Sequence, residues 1–180
     1  MINMLQAGRA ADAEKISELL LDYRGLSLVT GGQLNLTQHA TLFNIFSHFS
    51  SSLKGGSLGT GPAEDASVAG FNMAVSGSVA GDLLEQAYAL VERIKADPTI
   101  DFNNDWKFVN IFIGSNDLCF VCQNESIYGA AQYVYNVRST LLYLRDNLPR
   151  TYVNLLPPFH IEILLETHKN NDAFCEDFHR

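Results

Sequence analysis

The chain has 180 residues, of which 47% are hydrophobic and 18% are charged, and its formal net charge is −8. This length is enough for one domain with a packed core, and the composition is that of a globular protein. The acidic balance argues against binding nucleic acid or an anionic membrane by charge. No stretch approaches the ~20 consecutive apolar residues that a membrane-spanning helix needs.

The N-terminal region, the cysteines and two short motifs bear on the compartment of the protein. Residues 1–14 lack the apolar core of a secretory leader, so no signal peptide is predicted. The three cysteines are Cys119, Cys122 and Cys175, and an odd number leaves one thiol unpaired or paired outside this chain. Asn35-Leu36-Thr37 and Asn124-Glu125-Ser126 match the glycosylation sequon. The two sequons and the cysteines together favour an exported parent protein.

The first part of the chain alternates between short helices and polar loops. Apolar residues at three- and four-residue spacing predict helices over residues 11–21 and 40–49. Residues 24–37 are rich in Gly, Ser, Thr and Asn and are predicted to form a loop. Residues 50–67 are dominated by Ser, Gly and Pro, and we expect an exposed loop within the domain rather than a linker.

The second part predicts strands alternating with helices. Short apolar runs predict strands over residues 68–75, 108–113 and 151–156. Helices are predicted from a capping box at Asp82 and Glu85 to about Ala96, and over residues 130–148 and 161–168. Strands joined by helices in this order form a parallel sheet with right-handed crossovers. We therefore expect an α/β fold with its ligand beyond the carboxyl ends of the strands.

Polar turns follow the first two of these predicted strands. Ser76-Gly77-Ser78 follows the first, and Gly114-Ser115-Asn116-Asp117 follows the second. A Gly backbone N–H and an Asn side-chain amide aimed at one point would form an oxyanion hole. In the simpler interpretation, Gly77 is a turn glycine and Asn116 and Asp117 only cap the backbone.

The sequence resembles a known family in the segments FNMAVSGS, DWKFVNIFIGSNDLCFVC and LPRTYVNLLPP, and in DYRGLS followed by Gly31-Gly32. These segments resemble consecutive blocks of the phospholipase B-like branch of the GDSL (SGNH) hydrolases. The resemblance implies a three-layer α/β/α sandwich with a parallel, flavodoxin-like sheet. It also implies hydrolysis of carboxylic esters, notably phospholipids and lysophospholipids, by an activated serine without a metal or other cofactor. The parent protein is expected to be extracellular or membrane-associated.

The resemblance assigns roles to particular residues. Gly77 matches the glycine of the second block, and Asn116 matches the third, with Gly114 and Asp117 in register. Met4 stands where the nucleophilic serine is expected, and a thioether cannot attack an ester carbonyl. We therefore expect residues 1–180 to form a single partial domain, incomplete at both ends, that lacks its first strand and is inactive as given.

The catalytic histidine of the family is expected late in the chain, in a D-x-x-H block. Glu176 and His179 have similar spacing, but Cys175 with Phe178-His179 is closer to a cysteine-containing stretch upstream of that block. His179 is therefore a disfavoured candidate for the base, and Cys175 is expected to lack its partner cysteine here. The remaining histidines have no metal-ligand spacing: His39, His48, His160 and His168.

The sequence is compatible with three candidate functions. The first is an ester hydrolase, or part of one, acting on a lipid or other acyl ester. The second is a non-catalytic lipid- or ester-binding protein in which Met4 has replaced the serine. The third, a redox protein using the C-x-x-C of Cys119 and Cys122, is weakest because this motif follows the G-x-N-D turn rather than opening a helix. The sequence does not separate the first two, and it predicts no oligomeric state.

Overall fold

The computed structural model describes residues 2–3 and 21–158. Within these ranges, three parallel strands form one sheet, and these are β1 (Ile2–Asn3), β2 (Lys107–Phe112) and β3 (Thr151–Leu156). The strand order is β1-β2-β3, and Val109 of β2 pairs with both neighbouring strands. The parallel sheet and the strands predicted near 108–113 and at 151–156 are confirmed. The first strand, whose loss was expected, is present to the extent of the two residues of β1.

Helices precede and follow β2. They are α1 (Leu42–Phe49), α2 (Ala66–Ala69), α3 (Leu83–Ala96), α4 (Ser115–Phe120), α5 (Glu125–Tyr128) and α6 (Ala130–Asn147). Short 3-10 turns lie at Arg24–Leu26 and Ala80–Asp82. The helices predicted over 40–49 and 130–148 are confirmed within two residues at each end. The predicted helix over 161–168, and that over 11–21 apart from Leu21, lie outside the described residues.

The core lies between β2 and the helices α3 and α6. Side chains from these three elements form one buried cluster that includes Leu83, Leu90, Ile94, Val109, Ile111, Val137 and Leu144. Because side chains alternate along a strand, Phe108 points to the other face of the sheet. There its ring stacks on Tyr152 at 5.6 Å and meets Phe46 of α1 edge-on at 5.8 Å. Helices therefore contact both faces, as the α/β/α arrangement requires.

The strand predicted over residues 68–75 is wrong. Ala66–Ala69 form α2, and the segment after it is buried but belongs to no sheet. Its carbonyl groups are bonded to a side chain instead, because the Arg24 guanidinium donates to Asn72 O at 3.2 Å and to Ala74 O at 2.7 Å. The Asn72 side chain also accepts from Ala74 N at 3.0 Å. The apolar run is thus a sign of burial, not of strand pairing.

The loop over residues 50–67 is not exposed throughout. Ser57 is fully buried and forms an isolated parallel bridge with Gly31. Its hydroxyl donates to Ala69 O at 2.7 Å, and its carbonyl accepts from Gly32 N at 2.8 Å. Ser57 therefore ties this loop to the loop predicted over residues 24–37.

Helix α3 forms as predicted, but its start is built differently. The predicted capping box between Asp82 and Glu85 is wrong, because the Asp82 carboxylate accepts from Val79 N at 2.9 Å and makes no cap bond to the helix. At the other end, Asp97 caps the helix and its carboxylate accepts from the Thr99 backbone and hydroxyl. None of the helices in the described ranges is long and apolar enough to cross a membrane.

Candidate functional site

The first of the two polar turns is built on Gly77. Ser78 N donates to Val75 O at 3.2 Å, which closes a four-residue turn with Gly77 in its third position. Gly77 has φ +87°, the conformation that a type II turn demands there and that favours glycine. A β-carbon on Gly77 would meet no atom within 4 Å. The backbone of this exposed turn is therefore accessible to a ligand.

The second turn follows β2 and is built on Gly114. This residue has φ +115°, and its carbonyl accepts from Leu118 N at 3.0 Å. A β-carbon on Gly114 would lie only 2.8 Å from Tyr133 Cε2 and 3.2 Å from Pro158 Cγ. Only glycine fits at this position, and the tight turn places Asn116 and Asp117 in the first turn of α4.

Two side chains join the turns to each other. Asn116 Nδ2 donates to Ser78 O at 2.8 Å, and the Asp117 carboxylate accepts from Ala80 N at 3.0 Å. The first bond holds the Asn116 amide one residue away from Gly77. It uses one of the two N–H groups that this amide carries. The structure thus brings together the residues that the sequence analysis singled out, at the carboxyl end of β2.

Asp117 is the buried charged group of this region, with 3% of its surface exposed. Burial raises the pKa of its carboxyl above the ordinary value, and Asp82 adds to this effect, while the hydrogen bond from Ala80 N opposes it. Tyr133 lies close by and donates from its hydroxyl to Ile113 O at 3.3 Å. Burial, and then the charge of Asp117, raise the pKa of Tyr133. Asp117 therefore holds the Ala80 backbone at an electrostatic cost.

Replacing Asp117 with Asn is expected to change how stability depends on pH. Since the folded-state pKa of Asp117 is raised, the folded chain binds this proton more tightly than the unfolded chain. Ionisation therefore costs stability as pH rises from the ordinary value of 3.8 through the raised folded pKa. An amide does not ionise, so the unfolding free energy of the variant minus that of the wild type should increase across this window. Each unit of pKa difference corresponds to about 1.4 kcal/mol.

Urea unfolding of both proteins between about pH 4 and pH 8 measures this difference. Asp101→Asn is the matched control, because hydrogen bonds from Asn104 lower the pKa of Asp101. The stabilisation from this lowered pKa is fully present above the ordinary value and is lost only as pH falls below it, so the difference for Asp101→Asn should stay nearly flat over this range. A difference for Asp117→Asn that stays flat over the whole range would contradict the expectation.

Sequence reasoning missed the groups that hold the first turn. Ser76 Oγ donates to Asp22 Oδ1 at 2.8 Å, and Asp22 Oδ2 forms an ion pair with Arg24 at 3.3 Å. Behind the turn, Gln86 Nε2 donates to the buried Ser78 hydroxyl at 2.9 Å. Gln86 could have been found, since it is a polar residue on the otherwise apolar inner face of α3. No comparable signal marks the partners of Asp22.

Other predicted residues lie away from the turns or outside the described residues. Met4, His160, His168, Cys175, Glu176 and His179 belong to the latter group. His39 bonds to Leu26 O at 3.0 Å, and the ring of His48 contacts Phe49 edge-on. Within residues 21–158, no three His, Cys, Asp or Glu side chains cluster as a metal site would require.

The C-x-x-C motif is accessible but is not placed at the start of a helix. Cys119 and Cys122 are exposed free thiols. Cys119 lies in the last turn of α4 and Cys122 lies beyond that helix. Thiols gain reactivity at helix N-termini or beside cations, where the thiolate is favoured. This placement lends no support to the redox interpretation.

A cavity of about 350 Å³ lies at the opposite end of β2. Trp106 and Lys107, at the amino end of the strand, contribute to its lining together with Phe71 and Ile100. Ligands of parallel α/β sheets bind beyond the carboxyl ends of the strands. The cavity is therefore separate from the two turns.

The architecture and the turns together define a class of protein. Helices on both faces of a parallel sheet, with two polar turns joined beyond the carboxyl end of the central strand, make an α/β protein with its candidate site at that edge. The chain belongs to the family of GDSL-like lipases and acylhydrolases, whose model matches residues 8–178. The family resemblance seen in the sequence is confirmed, and this is a family of carboxylic ester hydrolases of the lipase and phospholipase type.

Individual relatives agree with this assignment. The chain is 40% identical over 173 residues to mouse "Phospholipase B1, membrane-associated", 37% identical over 177 residues to the rat protein of that name, and 34% identical over 168 residues to the human one. These matches cover 95%, 97% and 93% of this chain, respectively. The chain spans only 12% of the length of each relative. No solved structure matches it significantly.

Proposed function

We propose that the backbone N–H of Gly77 and the side-chain amide of Asn116 bind the carbonyl oxygen of an acyl ester. The hydrogen bond from Asn116 Nδ2 to Ser78 O carries this proposal, because it fixes the amide beside the Gly77 turn. Gly114 forms the turn that presents Asn116. The Asp117 carboxylate holds the backbone that follows the Gly77 turn, by accepting from Ala80 N. Donors held in advance toward developing negative charge are worth a factor of ~10²–10³ in rate for each donor in serine hydrolases.

The ligand that we propose is a phospholipid or lysophospholipid ester. Apolar side chains flank both turns at the surface: Val75 precedes the first turn with 46% of its surface exposed, and Leu118 follows Asn116 with 42% exposed. Such side chains suit contact with an acyl chain, whose burial gains about 0.8 kcal/mol per methylene. The names of the relatives support the same substrate class and a parent protein that is associated with a membrane.

We further propose that residues 1–180 act as one partial domain that binds the ester without cleaving it. Met4, at the position of the family's serine, offers no nucleophile, because a thioether has no proton to lose. An oxyanion hole alone stabilises a transition state that an attacking group must first create. Binding without turnover is therefore expected of this chain, whether Met4 is a natural replacement of the serine or not.

Asn116→Ala is expected to weaken binding of monomeric lysophosphatidylcholine by about 2- to 12-fold, which corresponds to one hydrogen bond of about 0.5–1.5 kcal/mol. The full chain, labelled with ¹⁵N, is titrated below the micelle concentration of the lipid. The wild type should show shifts of the Gly77 amide and of the Asn116 side-chain amide. Loss of the side-chain donor should leave a weaker response at Gly77.

Asn104→Ala is the matched control, since Asn104 is an exposed Asn in the loop before β2, at the other end of the strand. Its dissociation constant should equal that of the wild type. Equal weakening by both substitutions would refute a specific role for Asn116. Covalent labelling of the wild-type chain by a fluorophosphonate would overturn the expectation that it binds without cleaving.

A further inference from the structure

Residues 33–38 form a surface loop that carries the first sequon. All six residues of this loop are exposed, and Asn35 and Thr37 are among them. The Thr37 hydroxyl donates to Asn35 Oδ1 at 2.6 Å, and Thr37 N donates to the same oxygen at 3.0 Å. The two side chains that define a sequon are therefore already in contact with each other and open to solvent.

The fold leaves room for a bulky group on Asn35. Asn35 Nδ2 donates to Gln38 Oε1 at 2.8 Å, and both groups are exposed. A glycosylated amide keeps one N–H, so this bond can persist after modification. The contacts that fix the ends of the loop come from elsewhere, since Gln33 N donates to Gly25 O and Thr41 Oγ1 donates to Gly31 O. A glycan at Asn35 thus displaces none of the buried contacts described above.

The second sequon is placed less favourably. Asn124 caps α5, and its carbonyl accepts from Ile127 N and Tyr128 N. The sequon therefore continues into a helix, with the acidic Glu125 as its middle residue. It also follows α4, the helix that carries Asn116, so a glycan there would lie on the segment that extends from the candidate functional site.

We propose that Asn35 is an acceptor for N-linked glycosylation. Asn35 Nδ2 attacks the anomeric carbon of an oligosaccharide linked to a polyprenyl diphosphate. A carbon–nitrogen bond forms, the bond between that carbon and the diphosphate oxygen breaks, and the polyprenyl diphosphate leaves. The amide gives up one proton to a base of the transferase, and nothing is oxidised or reduced. Because the transferase works in the lumen of the secretory pathway, a glycosylated Asn35 means that the surface formed by residues 33–38 faces the lumen and later the outside of the cell.

The test is translation of the full chain behind an added leader peptide in the presence of microsomes, with protection from protease as the criterion for translocation. The protected wild-type chain should migrate more slowly, and treatment with peptide N-glycosidase should reverse this and convert Asn35 to Asp in the mass spectrum. Asn35→Gln and Thr37→Ala should each abolish the shift that belongs to this sequon. Thr37→Ser should retain it, because serine supplies the same hydroxyl.

Two further variants distinguish glycosylation at Asn35 from glycosylation at Asn124 and from a nonspecific effect of substituting an Asn. Asn103→Gln changes an exposed Asn outside any sequon and should leave the shift unchanged. Asn124→Gln should leave the mobility shift caused by the glycan on Asn35 unchanged. The proposal is overturned if the protected wild-type chain shows no shift, or if the shift survives Asn35→Gln and disappears with Asn124→Gln.

Discussion

Replacing Arg24 with Met is expected to lower the free energy of unfolding by about 3–5 kcal/mol, the usual cost of breaking a buried charged network from one side. The guanidinium is 1% exposed and donates to three backbone carbonyls, those of Gly61, Asn72 and Ala74. Met has a similar length but no donor, so the buried carbonyls of Asn72 and Ala74 lose a partner that water cannot replace, at about 1–3 kcal/mol each. For a domain with a total stability of about 5–15 kcal/mol, this is a large fraction.

Urea unfolding monitored by circular dichroism measures the change. Arg138→Met is the matched control, because Arg138 is exposed on α6 and its loss should stay within about 0.5 kcal/mol. Arg24→Lys should fall between the two, since an ammonium keeps the charge but lacks the planar fork that reaches several acceptors. A loss below about 1 kcal/mol for Arg24→Met would mean that the network does not hold these segments.

Arg24 also explains why one element could not be predicted. The apolar run over residues 68–75 has the composition of a buried strand, and the burial itself is confirmed at Phe71 and Ala74. A hydrophobic pattern indicates that a segment is buried. It does not indicate which groups form hydrogen bonds with the backbone of that segment. Here the partner is a side chain 48 and 50 positions earlier in the chain. Nothing in the local sequence indicates that a single arginine in a polar loop bonds to carbonyl groups so far along the chain.

The elements that were predicted share a different property. For α3, α6, β2 and β3, the hydrophobic period matches the face that packs into the common core, and Gly or Pro marks an end of several of them. Local pattern and tertiary packing therefore point to the same structure. The start of α3 is an exception, because the Asp82 carboxylate accepts from Val79 N and makes no cap bond to the helix.

The candidate site was predictable to the extent that it depends on residue identity. Gly77, Gly114 and Asn116 stand out because few residues adopt positive φ or offer a neutral amide donor after a strand. The contacts that assemble them are to Ser78 O and Ala80 N, which are backbone atoms that every sequence contains. Such partners become visible only when the fold sets the distance between the two turns.

Gly114→Ala is expected to lower the free energy of unfolding by about 2–4 kcal/mol and to displace Asn116. A left-handed φ costs a non-glycine residue about 1–2 kcal/mol, and here the new methyl group would also lie 2.8 Å from Tyr133 Cε2. The Tyr133 ring has little freedom to move, because it packs against the core and its hydroxyl is bonded to Ile113 O. The backbone at the start of α4 must therefore shift, and the Asn116 side-chain amide should lose its bond to Ser78 O.

Gly77→Ala separates backbone strain from steric overlap. Gly77 also has a positive φ, but a β-carbon there meets no atom within 4 Å, so its cost should be the strain of about 1–2 kcal/mol alone. The difference in unfolding free energy between the two variants then measures the overlap with Tyr133. In ¹⁵N spectra, the Asn116 side-chain amide should move in Gly114→Ala and stay close to its wild-type position in Gly77→Ala. Equal losses with an unmoved Asn116 amide would show that the space around Gly114 is not what sets this turn.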